Sequence, residues 1–488
     1  MNMLFKMSEM IEKCRGAHEE FMSSVSGYDR EAVNVKGISC FKSSAVFGEF
    51  ERDFEKSLRK SEVVLGDNLE YMKHLLAREG MAGSIQFTYI DPPFYSKNSY
   101  AARIRVAGEN IKLPAYDDKW CGGMESYLEM LCERLFLMRE LVSDTGYVCI
   151  HLDWHVVHYA KVMMDAIFGE EYFVNEIIWT YKSGGSTKRF FSRKHDTLLL
   201  YRKTDKNYFK AQTQKSYNRE LRPYNFESVK EYRDEKGWYT LVNMKDVWEI
   251  DMVGRTSGER TGYATQKPEN LIRRLLESCS RPGDICADFF GGSGVLAKVA
   301  ADMKRDFISC DNAGLSVVIQ MLRLLRAGAV FKFIDNRCIK NNSAADRRGE
   351  LNVRFGCDKK EFTKHSIDTA LEKSGQGSKT SISAERNLPL TVRLTGYRPD
   401  ISGSVMSKAY KKFINSVDPV EMLAFWSVDP AYDGDVHRSG EVRMINDGRV
   451  EREINFGSGE EKCGIISILA ADVFGVITQK VIYTEDFK

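Results

Sequence analysis

The sequence predicts an α/β fold built on a largely parallel sheet, with a basic insert inside it and a small β-rich region after it. Three observations carry that prediction. An apolar run, Ile85 to Ile90, stops abruptly at Asp91-Pro92-Pro93-Phe94. A second short apolar run enters the turn Gly291-Gly292-Ser293-Gly294, and the helical segment Val295 to Met303 follows. A third, Phe307 to Cys310, ends in Asp311. Runs of this length bounded by turn residues read as buried strands. In open α/β sheets, ligands bind at the carboxyl ends of such strands.

The first sixty residues read as a charged helical extension. Val63 to Met72 (VVLGDNLEYM) reads as a strand ending at Gly66-Asp67; a turn is the plainer interpretation of that pair. The strand before Asp91 must stop there, because proline cannot extend a sheet ladder. The two prolines also stiffen the backbone, so an acid, a rigid carbonyl and an aromatic face meet the crevice in a fixed pose. That combination suits gripping a planar base by its amino group; an ordinary turn is the alternative. Tyr95 and Tyr100 follow closely and are candidates for the pocket wall. Met124 to Leu141 has helical spacing, and Tyr147 to Leu152 is the next strand. His151 to Trp154 lies at its end, near the crevice. Asp153, His155 and His158 follow it and read as surface or packing residues, so no metal site is expected.

From Tyr181 to Thr240 the chain is rich in aromatics, and Lys and Arg outnumber Asp and Glu by roughly two to one. Cations neutralise phosphates, and aromatic rings stack on bases or wedge into a duplex. Lys182, Lys188, Arg189, Arg193 and Lys194 are the candidate phosphate contacts, with His195 beside them. Gly184 and Gly185 suggest a mobile loop that closes over DNA. Thr265-Gln266-Lys267-Pro268 then precedes an amphipathic helix, Glu269 to Ser278, with Leu271, Ile272, Leu275 and Leu276 on one face. Proline near a helix start gives up a hydrogen bond that would be unmade anyway. The glycine loop that comes next brings backbone amides and a helix N-terminus toward an anionic or nucleotide-like ligand. Asp311 lies about 20 residues beyond it, the usual distance for a carboxylate gripping ribose hydroxyls. Residues 336–387 are polar and read as linker. Alternating segments return over 388–488, a β-rich domain with a helix expected around Val405 to Ile414.

Asp91-Pro92-Pro93-Phe94 resembles the D/N/S-P-P-Y/F/W signature of the DNA amino-methyltransferases. Asp288-Phe289-Phe290-Gly291-Gly292-Ser293-Gly294-Val295 is similar to that family's D-P-F-x-G-S-G-T, with Phe289 in place of proline and Val295 in place of threonine. Thr265 to Pro268 matches its T-x-K-P element. The order, with D-P-P-F early and the glycine loop late, is that of the circularly permuted β class, whose chains open with a strand ending in G-D. The resemblance implies a Rossmann-like methyltransferase sheet with catalytic halves at 61–180 and 263–335 around a target recognition insert at 181–262. It implies S-adenosylmethionine as cofactor, held by Asp67, Gln266, Lys267, Pro268, Asp288, Phe290, Gly292, Ser293, Gly294 and Asp311, with Asn68 a weaker candidate. Asp91 and the carbonyl of Pro92 would accept the two protons of an exocyclic amine, and Phe94 would stack on the base. Pro93 completes the catalytic motif. In the family aspartate mostly accompanies adenine and serine cytosine. The reading is therefore an adenine-specific enzyme acting on double-stranded DNA and extruding the target base. Cytosine as the target, or an inactive DNA-binding specificity subunit, stay open as alternatives. Similar C-terminal modules accompany some type III-like modification methyltransferases, which leaves room for a restriction nuclease subunit or a homodimer as partner.

Composition fits without deciding. With 43% hydrophobic and 29% charged residues the chain reads as soluble and globular. Its net charge of +2 means that any nucleic-acid surface must be a local patch. Eleven cysteines without a C-x-x-C pair argue against zinc and for a reducing compartment. The charged N-terminus does not read as a signal peptide. The apolar stretch near Asp472 is too short for a bilayer, so a cytoplasmic location is expected.

Overall fold

Among the described residues, eleven strands join into one mixed central sheet. The computed structural model describes residues 3–25, 38–41, 61–77, 79–182, 187–224, 229–336, 350–357, 360–361, 390–398, 416–434, 436–456 and 465–483. In chain order the central strands are β1 (Ile38–Phe41), β2 (Glu62–Leu65), β3 (Ile85–Ile90), β4 (Val142–Leu152), β5 (Phe173–Thr180), β6 (His195–Arg202), β7 (Val247–Glu249), β8 (Ile285–Asp288), β9 (Asp306–Asp311), β10 (Phe331–Asp335) and β11 (His437–Arg438). Across the sheet they run β7-β5-β6-β4-β3-β8-β9-β2-β10-β1-β11. β4, β3, β8, β9, β2 and β10 are mutually parallel. β6 is antiparallel to both of its neighbours, and β1 is antiparallel to β10.

The helices are α1 (Met3–Val25), α2 (Asn68–Ala77), α3 (Gly123–Leu141), α4 (Val157–Phe168), α5 (Glu269–Cys279), α6 (Val295–Asp302) and α7 (Gly314–Arg326). Strand alternation sorts the core into two layers. Val63, Leu65, Phe87 and Tyr89 point toward α5, α6 and α7. Val64, Ile85 and Ile90 point toward α1, α2, α3 and α4. Both faces are covered, so every residue of β2, β3 and β8 is buried, as expected of parallel strands between helix layers. Helix α1 lays Met7, Ile11 and Cys14 into the core and is tied to α3 by Lys6–Glu125 and Lys13–Glu129 pairs, each 2.5 Å. The N-terminal stretch, read from sequence as helical, also supplies the strand β1.

Chain order jumps between β3 and β8, which lie side by side with Cys286 opposite Phe87 and Ala287 opposite Thr88. β4, the central strand that follows β3, lies on one side of this pair, and β9, which follows β8, lies on the other. This is the kind of switch point where a crevice opens above the strand ends.

The basic insert is not a separate body throughout. Its strands β6 and β7 belong to the central sheet, whereas Thr213–Tyr217, Glu231–Arg233 and Trp238–Asn243 form a three-stranded sheet of their own. The hairpin Ser99–Val106 and Glu109–Asp117 spans from the crevice to the C-terminal region, where Ala107 N donates to Gly448 O. Two four-stranded sheets lie there, and one of them takes in Glu350–Cys357 and Lys360–Glu361, so the stretch read from sequence as linker contributes strands, of which Glu350–Cys357 pairs with Leu390–Arg398. The helix expected around Val405 to Ile414 lies outside the described residues. Asp472, the acid inside the long apolar stretch, is fully buried and accepts from Tyr397 Oη at 2.8 Å and from two backbone amides. Gly475 (φ +87°) lets this turn lie backbone to backbone on the start of α7; a Cβ there would stand 2.2 Å from Gly314. Among the described residues no helix is long and apolar enough to cross a membrane.

The strand β9 is anchored by Arg305, whose buried guanidinium donates to Ser280 Oγ, Ser280 O, Leu276 O and Met303 O at 2.7–3.2 Å. Three of these are carbonyls at the ends of α5 and α6, where a cation meets the negative end of the helix dipole. Arg305→Ala strands several of them. It is expected to lower stability by about 2–3 kcal/mol, read as a shifted urea midpoint; an unchanged midpoint would remove this anchor from the account.

Candidate active site

Asp91 is the first residue past β3 and Asp288 the last of β8, so the parallel pairing puts two acids at adjoining strand ends. Among the described residues Asp91 is held from one side. Its Oδ2 lies 2.5 Å from Lys267 Nζ, and its Oδ1 is buried without a hydrogen-bond partner among the described residues. The pair is shielded, with side chains 19% and 7% exposed. Lys267 Nζ also sits 5.0 Å from the centre of the Phe94 ring. Behind Phe94 stands the buried His151, ring centres 5.9 Å apart. His151 Nδ1 meets Tyr89 Oη at 2.8 Å and Nε2 meets Asp196 Oδ2 at 3.3 Å. Burial works to raise Asp196, but hydrogen bonding and charge from His151 outweigh it and hold the carboxyl below its usual range. The backbone after the motif is pinned by Asp118, fully buried, which accepts from Tyr95 N (3.1 Å), Ser96 N (2.6 Å) and Trp120 Nε1 (3.0 Å).

The glycine loop is shaped by backbone contacts that side chains would block. A Cβ on Gly291 would stand 2.6 Å from both Ser309 Oγ and Gln320 Nε2, and one on Gly294 (φ +70°) 2.9 Å from Gln320 Cγ. Gly291 N donates to Cys310 O at 2.9 Å and Gly292 N to Asp311 Oδ2 at 2.8 Å. From α7, Ser316 Oγ donates to Gly292 O, and Arg323 donates to Ser293 O while pairing with Glu269 of α5. Asp288 Oδ1 accepts from Phe290 N at 2.9 Å. Burial pushes Asp288 well above the usual carboxyl range, helped by the charges of Asp91 and Asp311. Burial also raises Asp311, against the pull of its hydrogen bonds. Phe289, where the family has proline, is fully buried in the core beneath the loop.

On the other wall, Asp67 Oδ1 accepts from Leu69 N (2.8 Å) and Glu70 N (3.3 Å) at the start of α2. Asn68 has a bridging role: its Nδ2 donates to Phe289 O and its Oδ1 accepts from Arg134 Nε, both at 2.6 Å. The segment before α5 folds on itself, with Gln266 Oε1 accepting from Thr261 N and its Nε2 donating to Glu259 O. Pro268, at the N-cap position of α5, is extended.

One cavity of about 410 Å³ gathers Asp67, Asp91, Pro93, Gln266, Lys267, Asp288, Phe290, Gly292, Ser293 and Asp311. Pro92, Phe94, Gly294 and Pro268 stand outside its lining. So do Tyr95 and Tyr100; the latter stacks on Tyr116, which does line it. The DNA-contact candidates lie away from the cavity. Lys182 is paired with Glu249 at 3.1 Å, Lys188, Arg189 and His195 are exposed, Lys194 is half-exposed, and Arg193 lies on Trp154. Gly184 and Gly185 fall outside the described residues. Sequence reading missed Asp118, Arg134, Asp196, Tyr263 and Arg323. Each comes from a different segment with no local motif, so only the assembled fold brings them together.

A cradle that side chains would obstruct, a carboxylate at the end of the next strand and an open acceptor on a neighbouring acid fit a nucleoside-bearing ligand beside a hydrogen-bond donor. Comparison with known proteins agrees. A family model described as DNA methylase matches residues 85–313, a span holding both the Asp91 motif and the glycine loop. Type II methyltransferase M1.MboII of Moraxella bovis is 31% identical over 247 residues, covering 47% of this chain and 84% of that protein. Type II methyltransferase M.KpnI of Klebsiella pneumoniae is 28% identical, and M.EcaI of Enterobacter cloacae 27%. This chain spans 47% and 61% of the length of those two relatives. The solved M1.HpyAVI–SAM complex is 16% identical over 54% of this chain and 98% of that one, with a TM-score of 0.34. With the strand-end acid, the glycine loop and these relatives together, the chain belongs to the N6/N4 DNA methylase family.

Proposed function

We propose that this protein methylates DNA at the exocyclic amino nitrogen of a base extruded from the duplex, that the base is adenine, and that S-adenosylmethionine is the methyl donor. The observation that carries the reading is Asp91: one carboxylate oxygen pinned by Lys267, the other buried and open, beside a glycine loop one strand away.

The donor supplies an electrophilic methyl group when bound. Residues of the glycine loop, Asp311, Asp67 and the wall from Tyr263 to Lys267 would hold it. The rest is positioning by the chain's own groups. An amine on adenine is a poor nucleophile because its lone pair is delocalised into the ring. Asp91 Oδ1, without a partner among the described residues, is the acceptor for an amine proton. Lys267 keeps the carboxylate from rotating to satisfy itself elsewhere. Phe94 presents a ring for stacking, braced by His151. Holding the amine so that its lone pair faces the methyl group is worth about 7–11 kcal/mol at best alignment. The chain's own part is to hold the amine against the donor's methyl group and to take up the amine proton's hydrogen bond at Asp91 Oδ1.

Adenine is favoured by the aspartate at the head of the motif, and the open acceptor suits an amino group on either base. Single-molecule sequencing of plasmid DNA from a methylation-free host, with and without the gene, tests both levels of the reading. Methyladenine at one recurring sequence is expected. Methylcytosine would overturn the base alone, and no mark from a folded, donor-binding protein would overturn the activity.

Two substitutions separate the roles. Asp91→Ala is expected to cut methylation about a thousandfold or more, while calorimetry finds donor affinity little changed; retained turnover would dismiss Asp91 as the amine acceptor. Asp311→Ala is expected to weaken donor binding about ten- to hundredfold, the scale of a lost hydrogen bond to a charged group. An affinity equal to the wild type would remove Asp311 from the donor site.

A further inference from the structure

We propose that Phe191 is the side chain that enters the base stack and fills the gap left by the extruded base. This rests on the DNA-methylating function proposed above and names the residue that makes extrusion favourable.

Phe191 is 98% exposed and its neighbour Phe190 56%. An aromatic ring held fully in water is unfavourable unless something covers it. Its surroundings indicate what does. From Lys188 to His195 the chain reads Lys-Arg-Phe-Phe-Ser-Arg-Lys-His, with no acid among these residues. Cations on both sides of a protruding ring complement the two phosphate strands that flank a base step. A stacked base step offers both at once, an apolar slot one ring deep between two phosphate strands.

The segment is also placed for the task. It emerges from the hairpin of β5 and β6, whose root pairs Thr180 with His195 and is closed by Tyr181 N donating to Lys194 O at 3.1 Å. β6 runs antiparallel to β4, with Thr197 opposite Leu152, so this root lies on the same rim of the sheet as the carboxyl ends of β4 and β3. Asp196, the second residue of β6, holds His151, which backs Phe94. The root of the segment is thus joined through side chains to the base-gripping motif. Further out, the Arg193 guanidinium lies 3.8 Å from the centre of the Trp154 ring and 4.7 Å from that of Phe190. Trp154 stands just past the end of β4. That stack of Trp154, Arg193 and Phe190 fixes the segment to the rim and leaves Phe191 projecting.

The test compares the full-length wild type, Phe191→Ala and Phe191→Trp on two oligonucleotide duplexes carrying the mapped site. In one the target base is paired; in the other it faces an abasic position, where extrusion is already easy. A wedge predicts that Phe191→Ala loses about tenfold or more in kcat/KM on the paired duplex and most of that loss disappears on the abasic one. Phe191→Trp should keep most activity on both. Equal loss on both duplexes, or no loss on either, overturns the wedge while leaving the proposed function standing. Donor affinity, measured in parallel, confirms that each variant is folded. A wild type inactive on both duplexes would overturn the proposed function and the wedge together.

Discussion

The site depends on one pairing: β3 against β8, parallel and in register at the centre of the sheet. It sets Asp91 and Asp288 side by side at one edge. The glycine loop follows β8 directly, and the Asp91 motif follows β3. Each half is incomplete alone. A slip of one residue between these strands would turn their side chains to opposite faces and part the two half-sites. Burial of both strands between helix layers guards against that slip.

Around that pairing the polar groups are divided into those that hold the backbone and those left for ligands. Arg323, Ser316, Arg134, Asn68 and Asp118 spend their hydrogen bonds on loop geometry. Among the described residues, nothing pairs with one buried oxygen of Asp91. A buried unpaired acceptor costs about 1–3 kcal/mol, a stability loss tolerable where a ligand will supply the donor. The rim beyond is built on the same logic, with exposed aromatics and cations carried on a rooted hairpin rather than scattered over the surface.

Local sequence determined a good deal here. The apolar runs at Ile85–Ile90 and Phe307–Cys310, the glycine turn between β8 and α6, and the amphipathic face of α5 are all short-range patterns. Their physics, unbroken apolar runs ended by turn residues, positive φ at glycine and helical spacing, acts within a few residues. The acids at the strand ends were legible for the same reason, because a strand's carboxyl end is a local property while its role as a ligand site is general to open sheets.

What the sequence could not reveal is held by contacts between distant segments. Lys267 reads as part of a donor-site motif, yet its ammonium reaches Asp91, 176 residues away. The insert reads as one basic unit, but β6 and β7 complete the central sheet while the rest forms its own. His151 and Asp196 meet only because β6 runs back antiparallel along β4. The sequence by itself determined which residues end each strand and which turns need glycine, because these are decided by steric and periodic rules along the chain. Only the tertiary structure decided which strand ends adjoin, which oxygen of Asp91 stays open and which aromatic ring is left in water, because each is set by packing between parts of the chain that share no local pattern.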